Sequence, residues 1–290
     1  MATGIKLDQK HLTGALSPLT EIPEPPTQLY IEGTLPTPET VLLAVVGSRK
    51  YSSYGRDACE KLISGLSGQN ISIVSGLAVG MDTIAHKAAL EAGLQTIAFH
   101  GSGLDRSVLH PHSNRALADE IVKKGGCLIS EYDPTYPAGM HTFPRRNRLM
   151  AGLCKAVLVI EAGMQSGTRI TARLATEYNR DVLAVPGSIF SPNSQGTNEL
   201  IRLGATPITS SSDILNALGF QVDESGQKEL DLESLTNHER MIVELLKTEP
   251  LPRDEVIRLA ELEISLANTA LATLEIKGII TESLGELRLN

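Results

Sequence analysis

Short apolar runs recur through the middle of the chain: VLLAVV (41–46), ISIVS (71–75), QTIAF (95–99), CLIS (127–130), AVLVIE (156–161) and DVLAVP (181–186). Between most of them lie stretches with helical spacing, Gly55–Ser67, Asp82–Ala92, Asn114–Lys123 and Ile170–Arg180. Unbroken apolar runs suit strands buried on both faces, and the intervening helices are what would cover them. The pattern predicts an α/β fold over residues 41–220, a doubly wound, mostly parallel, Rossmann-like sheet. Residues 1–40 are rich in Pro and Thr and hold no sustained period, which predicts an arm or linker with a short strand at Gln28–Glu32. A polar linker at 221–231 leads into residues 232–290. There, helical spacing over Asn237–Lys247, Arg253–Leu259 and Ser265–Lys277, followed by a terminal hairpin, predicts a small winged-helix-like domain.

Charge changes the picture. The net charge of −8 sits entirely in residues 221–290, which carry 7 basic against 15 acidic residues, while residues 1–220 carry 19 of each. A local basic groove is therefore open to the first part of the chain, and the tail is not the part expected to touch phosphate. Cys59, Cys127 and Cys154 are odd in number, far apart and never in a CxxC pair, so they read as reduced, buried thiols and not as staples or zinc ligands. No apolar run approaches the roughly 20 residues of a membrane span, and the N-terminus lacks a signal-peptide core. These features predict a cytoplasmic protein with no membrane contact, no metal and no cofactor.

The most informative cluster is Phe143-Pro144-Arg145-Arg146-Asn147-Arg148, in a chain with only four Phe, six Tyr and no Trp. Pro144 argues against a helix at that point. Guanidinium forks beside a ring suit single-stranded nucleic acid, because phosphates need fixed charges and an unstacked base needs a flat face. In an open parallel sheet, ligands sit beyond the carboxyl ends of the strands. Those ends carry Gly47-Ser48-Arg49, Ser75-Gly76-Leu77, His100-Gly101, Glu161 with Ser166-Gly167-Thr168, and Pro186-Gly187. Small residues let backbone approach phosphate, and helix N-termini offer N–H donors. Ser48, Ser75, Ser166 and Thr168 add hydroxyls; Arg49, Arg146 and Arg148 would close the site electrostatically. Asp82 and His86 share a helix face and read as structural, and Glu161 reads as a holder of loop backbone or of an arginine. No GxGxxG fingerprint, triphosphate loop, zinc spacing or nucleophile–base arrangement is present, so no catalytic residue is predicted.

The segments VGSR (46–49), SGLAVGMDTIAHKAAL (75–90), GSGLD (101–105), FPRRNRLMAGL (143–153), SGTRITARLA (166–175), AVPG (184–187) and GTNELIRLGA (196–205) together resemble the DprA/Smf family of bacterial DNA-processing proteins. The resemblance spans residues 41–220. It implies a homodimeric protein that binds and protects single-stranded DNA and loads a RecA-type recombinase onto it, in homologous recombination and natural transformation (competence). It also implies that Arg49, Arg146 and Arg148 grip the strand, Asn147 positions a neighbouring group and Phe143 stacks. Ser48, Gly76 and Ser166-Gly167-Thr168 would donate to phosphate. Residues 1–40 are too short and too proline-rich for the helical domain that many relatives place there, and Arg169 stands where an apolar residue is usual. The acidic tail suggests a protein contact or an autoregulatory role. The rivals are a nucleotide-hydrolysing enzyme, although Glu161–Thr168 lacks the PGGxGTxxE pattern of phosphoribohydrolases, and a nucleotide-sensing module.

Overall fold

In the strand Val41–Val46 (β3), Leu42, Ala44 and Val46 face one hydrophobic core, while Leu43 and Val45 face another. That two-residue alternation with both faces apolar places β3 in the middle of a covered sheet. The computed structural model describes residues 5–221, 235–283 and 285–289, and the chain divides into two units, Met1–Val222 and Asp223–Asn290. The first unit holds β1 (Ile5–Asp8), β2 (Gln28–Gly33), β3, β4 (Ile71–Ser75), β5 (Gln95–His100), β6 (Cys127–Ser130), β7 (Ala156–Val159), β8 (Asp181–Ala184) and β9 (Thr206–Pro207). They form one sheet in the order β1-β2-β6-β5-β4-β3-β7-β8-β9. From β6 to β9 every pairing is parallel; β1 and β2 join antiparallel at one edge.

Helices α1 (Ser53–Ser64), α2 (Met81–Glu91) and the short Ser211–Ala217 helix cover one face. A helix over Thr142–Leu153 (here α4, after α3 at Arg115–Lys123) and α5 (Thr168–Glu177) cover the other. Strand order reverses at β3: β4, β5 and β6 extend to one side, and β7, β8 and β9 to the other. The crevice beyond the carboxyl ends of β3 and β7 is therefore the topological switch point, where open α/β sheets bind ligands.

Two sequence expectations are corrected. Residues 5–40 are not an arm. Leu12, Leu16, Leu19 and Ile22 are buried in the same core as α4, and β2 pairs with β6. Ile22 packs so closely that a Cβ on Gly152 would lie 2.4 Å from its Cγ2. The apolar positions recur every three or four residues, a helical stripe masked by surrounding prolines. Nor does Pro144 interrupt a helix. It is the third residue of α4, in the first turn, where backbone N–H groups have no intrahelical acceptor to lose.

The second unit contains helices Asn237–Leu246 (α8), Arg253–Leu259 (α9) and Ile264–Ile276 (α10), numbered after α6 (Gln195–Arg202) and α7 (Ser211–Ala217). Strands Leu251–Pro252, Glu286–Leu289 and Ile280–Ser283 form a three-stranded antiparallel sheet, completing a winged helix around its own core. Thr236 and Glu239 form a reciprocal capping box at the start of α8. Residues 222–231 of the expected linker lie outside the described residues.

Leu19 is fully buried, so Leu19→Ala is expected to lower unfolding stability by about 2–5 kcal/mol. Urea denaturation checks this; an unchanged midpoint would mean that the N-terminal segment is dispensable.

Candidate nucleic-acid interface

The loop after β3 is shaped by the loop after β4. The Met81 N–H donates to the Ser48 carbonyl at 3.1 Å. Gly80 lies beneath, at φ +89°, where a Cβ would stand 2.5 Å from Arg49 Cα. Only glycine meets both demands. Across the switch point, the Thr168 hydroxyl donates to the Gly47 carbonyl at 3.0 Å, tying the start of α5 to the end of β3. Glu161 accepts the Ser52 N–H at 2.9 Å and the Ser52 hydroxyl, so it holds the backbone that opens α1.

Between these loops lies a cleft of about 760 Å³ lined by Gly47–Lys50, Asp82, Met140, Phe143, Arg146, Asn147, Gln165–Thr168 and Asn193, among others. Of the residues singled out from sequence, Ser48, Arg49, Phe143, Arg146, Asn147, Ser166, Gly167 and Thr168 meet here. Gly76 and Arg148 do not line it. Arg148 is buried in an ion pair with Glu131, with Glu24 at 3.9 Å. The Gly76 N–H donates to Asp82 Oδ2 at 3.2 Å, so it is already engaged. Arg169 is likewise outside, bound to Glu199 at 2.8 Å and to the Met164 carbonyl at 2.6 Å.

Arg146 is the centre of the arrangement. It is 4% exposed, and its Nη1 donates to the Phe99 carbonyl at 2.9 Å. A Cβ on Gly76 would stand 1.6 Å from that same nitrogen, so the guanidinium passes over a bare backbone. Asp82, which also takes the Ala78 N–H at 3.4 Å, is its buried counter-charge. Burial raises the Asp82 carboxyl above the usual carboxylate range, while the Arg146 guanidinium and the two N–H groups oppose the rise. Arg49 is exposed, and its guanidinium carbon lies 5.8 Å over the Phe143 ring, which His110 flanks at 5.9 Å. Phe143 thus orients Arg49 as well as offering an aromatic surface.

The hydroxyls expected to donate to phosphate are mostly engaged within the protein. Ser48 donates to the Lys50 carbonyl at 2.8 Å, Ser166 to Thr168 at 2.9 Å, and Ser75 to the Val45 carbonyl at 2.7 Å. They brace the loops. Lys50, Gln165 and Asn193 are cleft residues that sequence reasoning missed. Lys50 could have been read from its place beside Arg49, whereas Asn193 arrives from the loop after β8 and had no such signal. Among the described residues no group of three or more His, Cys, Asp or Glu side chains could hold a metal ion, and no helix is long and apolar enough to cross a membrane.

Residues 13–219 match the family model for DNA recombination-mediator protein A, and residues 227–285 match that of the DprA winged helix domain. Protein Smf of Escherichia coli is 43% identical over 195 residues, which is 67% of this chain and 52% of that protein. DNA processing protein DprA of Streptococcus pneumoniae is 46% identical over 203 residues, 70% of each chain. The chain thus spans about half the length of the first relative and more of the second. Among solved structures, DNA processing protein A from Streptococcus pneumoniae aligns with a TM-score of 0.68 at 40% identity, covering 76% of each chain. DNA processing protein A from Helicobacter pylori, in a structure describing its single-stranded DNA binding mode, aligns at 0.65 and 29% identity, covering 74% of this chain and 95% of that one.

Behind Arg146, burial and then the guanidinium's charge push the His86 and His100 imidazoles from the usual 6.5 down to about 3. Between those values the unfolded chain binds protons that the folded chain excludes. Stability should therefore hold above pH 6.5 and fall as pH drops below it, by up to about 1.4 kcal/mol per pH unit per imidazole. The raised Asp82 carboxyl acts in the opposite sense, because the folded state takes up that proton first. Urea denaturation from about pH 7.5 to about pH 5 should show the decline, shallower in His100→Asn than in wild type. Equal slopes would mean that His100 titrates freely when folded.

Proposed function

The chain belongs to the DNA recombination-mediator protein A family, and from that premise we propose that it binds single-stranded DNA in the cleft between β3 and β7. The observation that carries the reading is the meeting of Arg49, Phe143, Arg146, Asn147 and the α5 N-terminus at one switch point. Arg49 and Arg146 meet phosphate, the start of α5 adds an oriented dipole, and Phe143 and Asn147 meet an unstacked base. A duplex keeps its bases stacked and unavailable, so it binds more weakly. The chemistry supports binding over hydrolysis, since Asp82, which lines the cleft, accepts backbone N–H groups, and Glu161 holds Ser52. The Helicobacter pylori relative supports the same ligand.

Protection of exposed strands, loading of a RecA-type recombinase and a role in natural transformation complete the proposal, carried out by a cytoplasmic homodimer. These rest on family membership. Dimerisation would join two clefts into a longer track, with a gain in avidity.

The winged-helix unit is assigned a protein-contact or autoregulatory role. Its described cations are engaged internally: Arg253 pairs with Glu275 and Glu282, Arg258 with Glu255, Lys247 with Glu244 and Lys277 with Glu239. Arg240 donates to the Leu235 carbonyl, and Arg288 is also partnered. With 7 basic against 15 acidic residues in 221–290, the net charge disfavours a phosphate contact.

Fluorescence anisotropy of a labelled single strand across a salt series tests the cleft. Arg49→Ala should weaken binding uniformly across sequences and reduce the salt slope by about one phosphate contact. Unchanged affinity and slope would remove Arg49 from the interface. The first unit has its own cores, so a chain ending at residue 222 should fold and keep the affinity of the full protein. A large loss on truncation would place the DNA contact in the winged helix.

A further inference from the structure

The loop from Pro186 to Ser194, after β8, holds two large apolar side chains out in solvent: Ile189 is 77% exposed and Phe190 is 89% exposed. The loop is pinned at both ends. The Tyr54 hydroxyl donates to the Pro186 carbonyl at 2.6 Å, and Asn193 Nδ2 donates to the Lys50 carbonyl at 2.9 Å. Within it, Ser191 N–H donates to the Ser188 carbonyl and Phe190 N–H to the Ser188 hydroxyl, at 3.0 and 3.2 Å. Tyr51, on the loop after β3, and Tyr54, in the first turn of α1, are both exposed beside it. A braced loop that keeps a phenylalanine in water marks a contact surface, because an unused ring gains stability by folding inward.

Continuity identifies the occupant. Lys50 and Asn193 line the cleft and also form the junction between these two loops. The cleft's volume is that of a small-ligand pocket, so a strand longer than a few nucleotides must leave it over a rim. Tyr132 and Tyr136, which do not line the cleft, stack on each other with ring centroids 4.9 Å apart, so each covers a face of the other. Among the described residues, Tyr51 and Phe190 take part in no ring pair, so neither ring is covered by another aromatic. Exposed Lys50 supplies the charge beside them.

We infer that single-stranded DNA leaving the cleft crosses the Lys50–Asn193 rim and lays its next unstacked bases on Phe190 and Tyr51, with Ile189 as an apolar flank. This extension rests on the reading of the cleft as the primary site. Stacking on these rings tolerates any base, so the extension adds affinity with length and little sequence preference.

The test is a length series of labelled oligothymidylate, from about 4 to about 30 nucleotides, against wild type, Phe190→Ala, Tyr51→Ala, Phe190→Trp and Arg49→Ala. Folding is verified by thermal denaturation, which substitutions at such exposed positions should leave unchanged. Phe190→Ala and Tyr51→Ala should each leave the shortest strands unaffected and weaken the longest by about tenfold, with Phe190→Trp restoring the loss. Equal weakening at every length, or none at any length, would overturn the extension. So would a change in oligomeric state at constant DNA affinity, which would give the loop to a second copy of the chain. Loss of binding at all lengths in Arg49→Ala, with none in Phe190→Ala, would end the extension and leave the cleft standing. Absence of binding by folded wild type would end both.

Discussion

A permanently charged guanidinium sits almost out of solvent beneath the crevice of this sheet, and much of the surrounding structure answers to it. Arg146 cannot shed its charge, so burial has to be compensated by fixed partners. The Phe99 carbonyl and the Asp82 carboxylate supply that compensation, and Gly76 supplies the space. Burial, and then the same charge, disfavours protonation of His86 and His100, keeping both imidazoles neutral behind the site. The protein's charge near the cleft is thus arranged before any ligand arrives, which reduces the ordering required on binding.

The cleft around Arg146 is built from loops that brace one another. Thr168 reaches across to Gly47, Met81 to Ser48, Glu161 to Ser52 and Asn193 to Lys50. Each tie joins the end of one strand to the loop of another. The hydroxyl-rich turns act mainly as this bracing, while charge and ring surface at Arg49, Arg146 and Phe143 face the ligand. Division of labour between rigid loops and a few exposed groups suits a ligand recognised by backbone charge and not by base identity.

Much of the architecture was legible from the chain. The central strands lie where unbroken apolar runs put them, since a strand covered on both faces has no polar alternation to hide it. The winged helix was legible for a different reason: its three amphipathic helices and hairpin are local patterns. What failed was governed by context. Leu12, Leu16, Leu19 and Ile22 form a helical stripe, yet the prolines among and after them read as linker. Pro144 signalled a break, although in the first turn of α4 it removes no hydrogen bond. Arg148 carried the same motif signal as Arg146, but its destination depends on Glu131 and Glu24, which only the fold brings near. Spacing likewise cannot reveal that the Arg146 side chain lies across Gly76 and that the Gly76 N–H is taken by Asp82.

The most direct measurement is amide hydrogen exchange of the full protein with and without saturating single-stranded DNA. Slowed exchange in Gly47–Lys50, at the start of α4 and in Gln165–Thr168, with none over α8 to α10, is the expected pattern. Protection confined to the winged helix, or absent from the loops after β3 and β7, would contradict the placement of the strand in the cleft around Arg146.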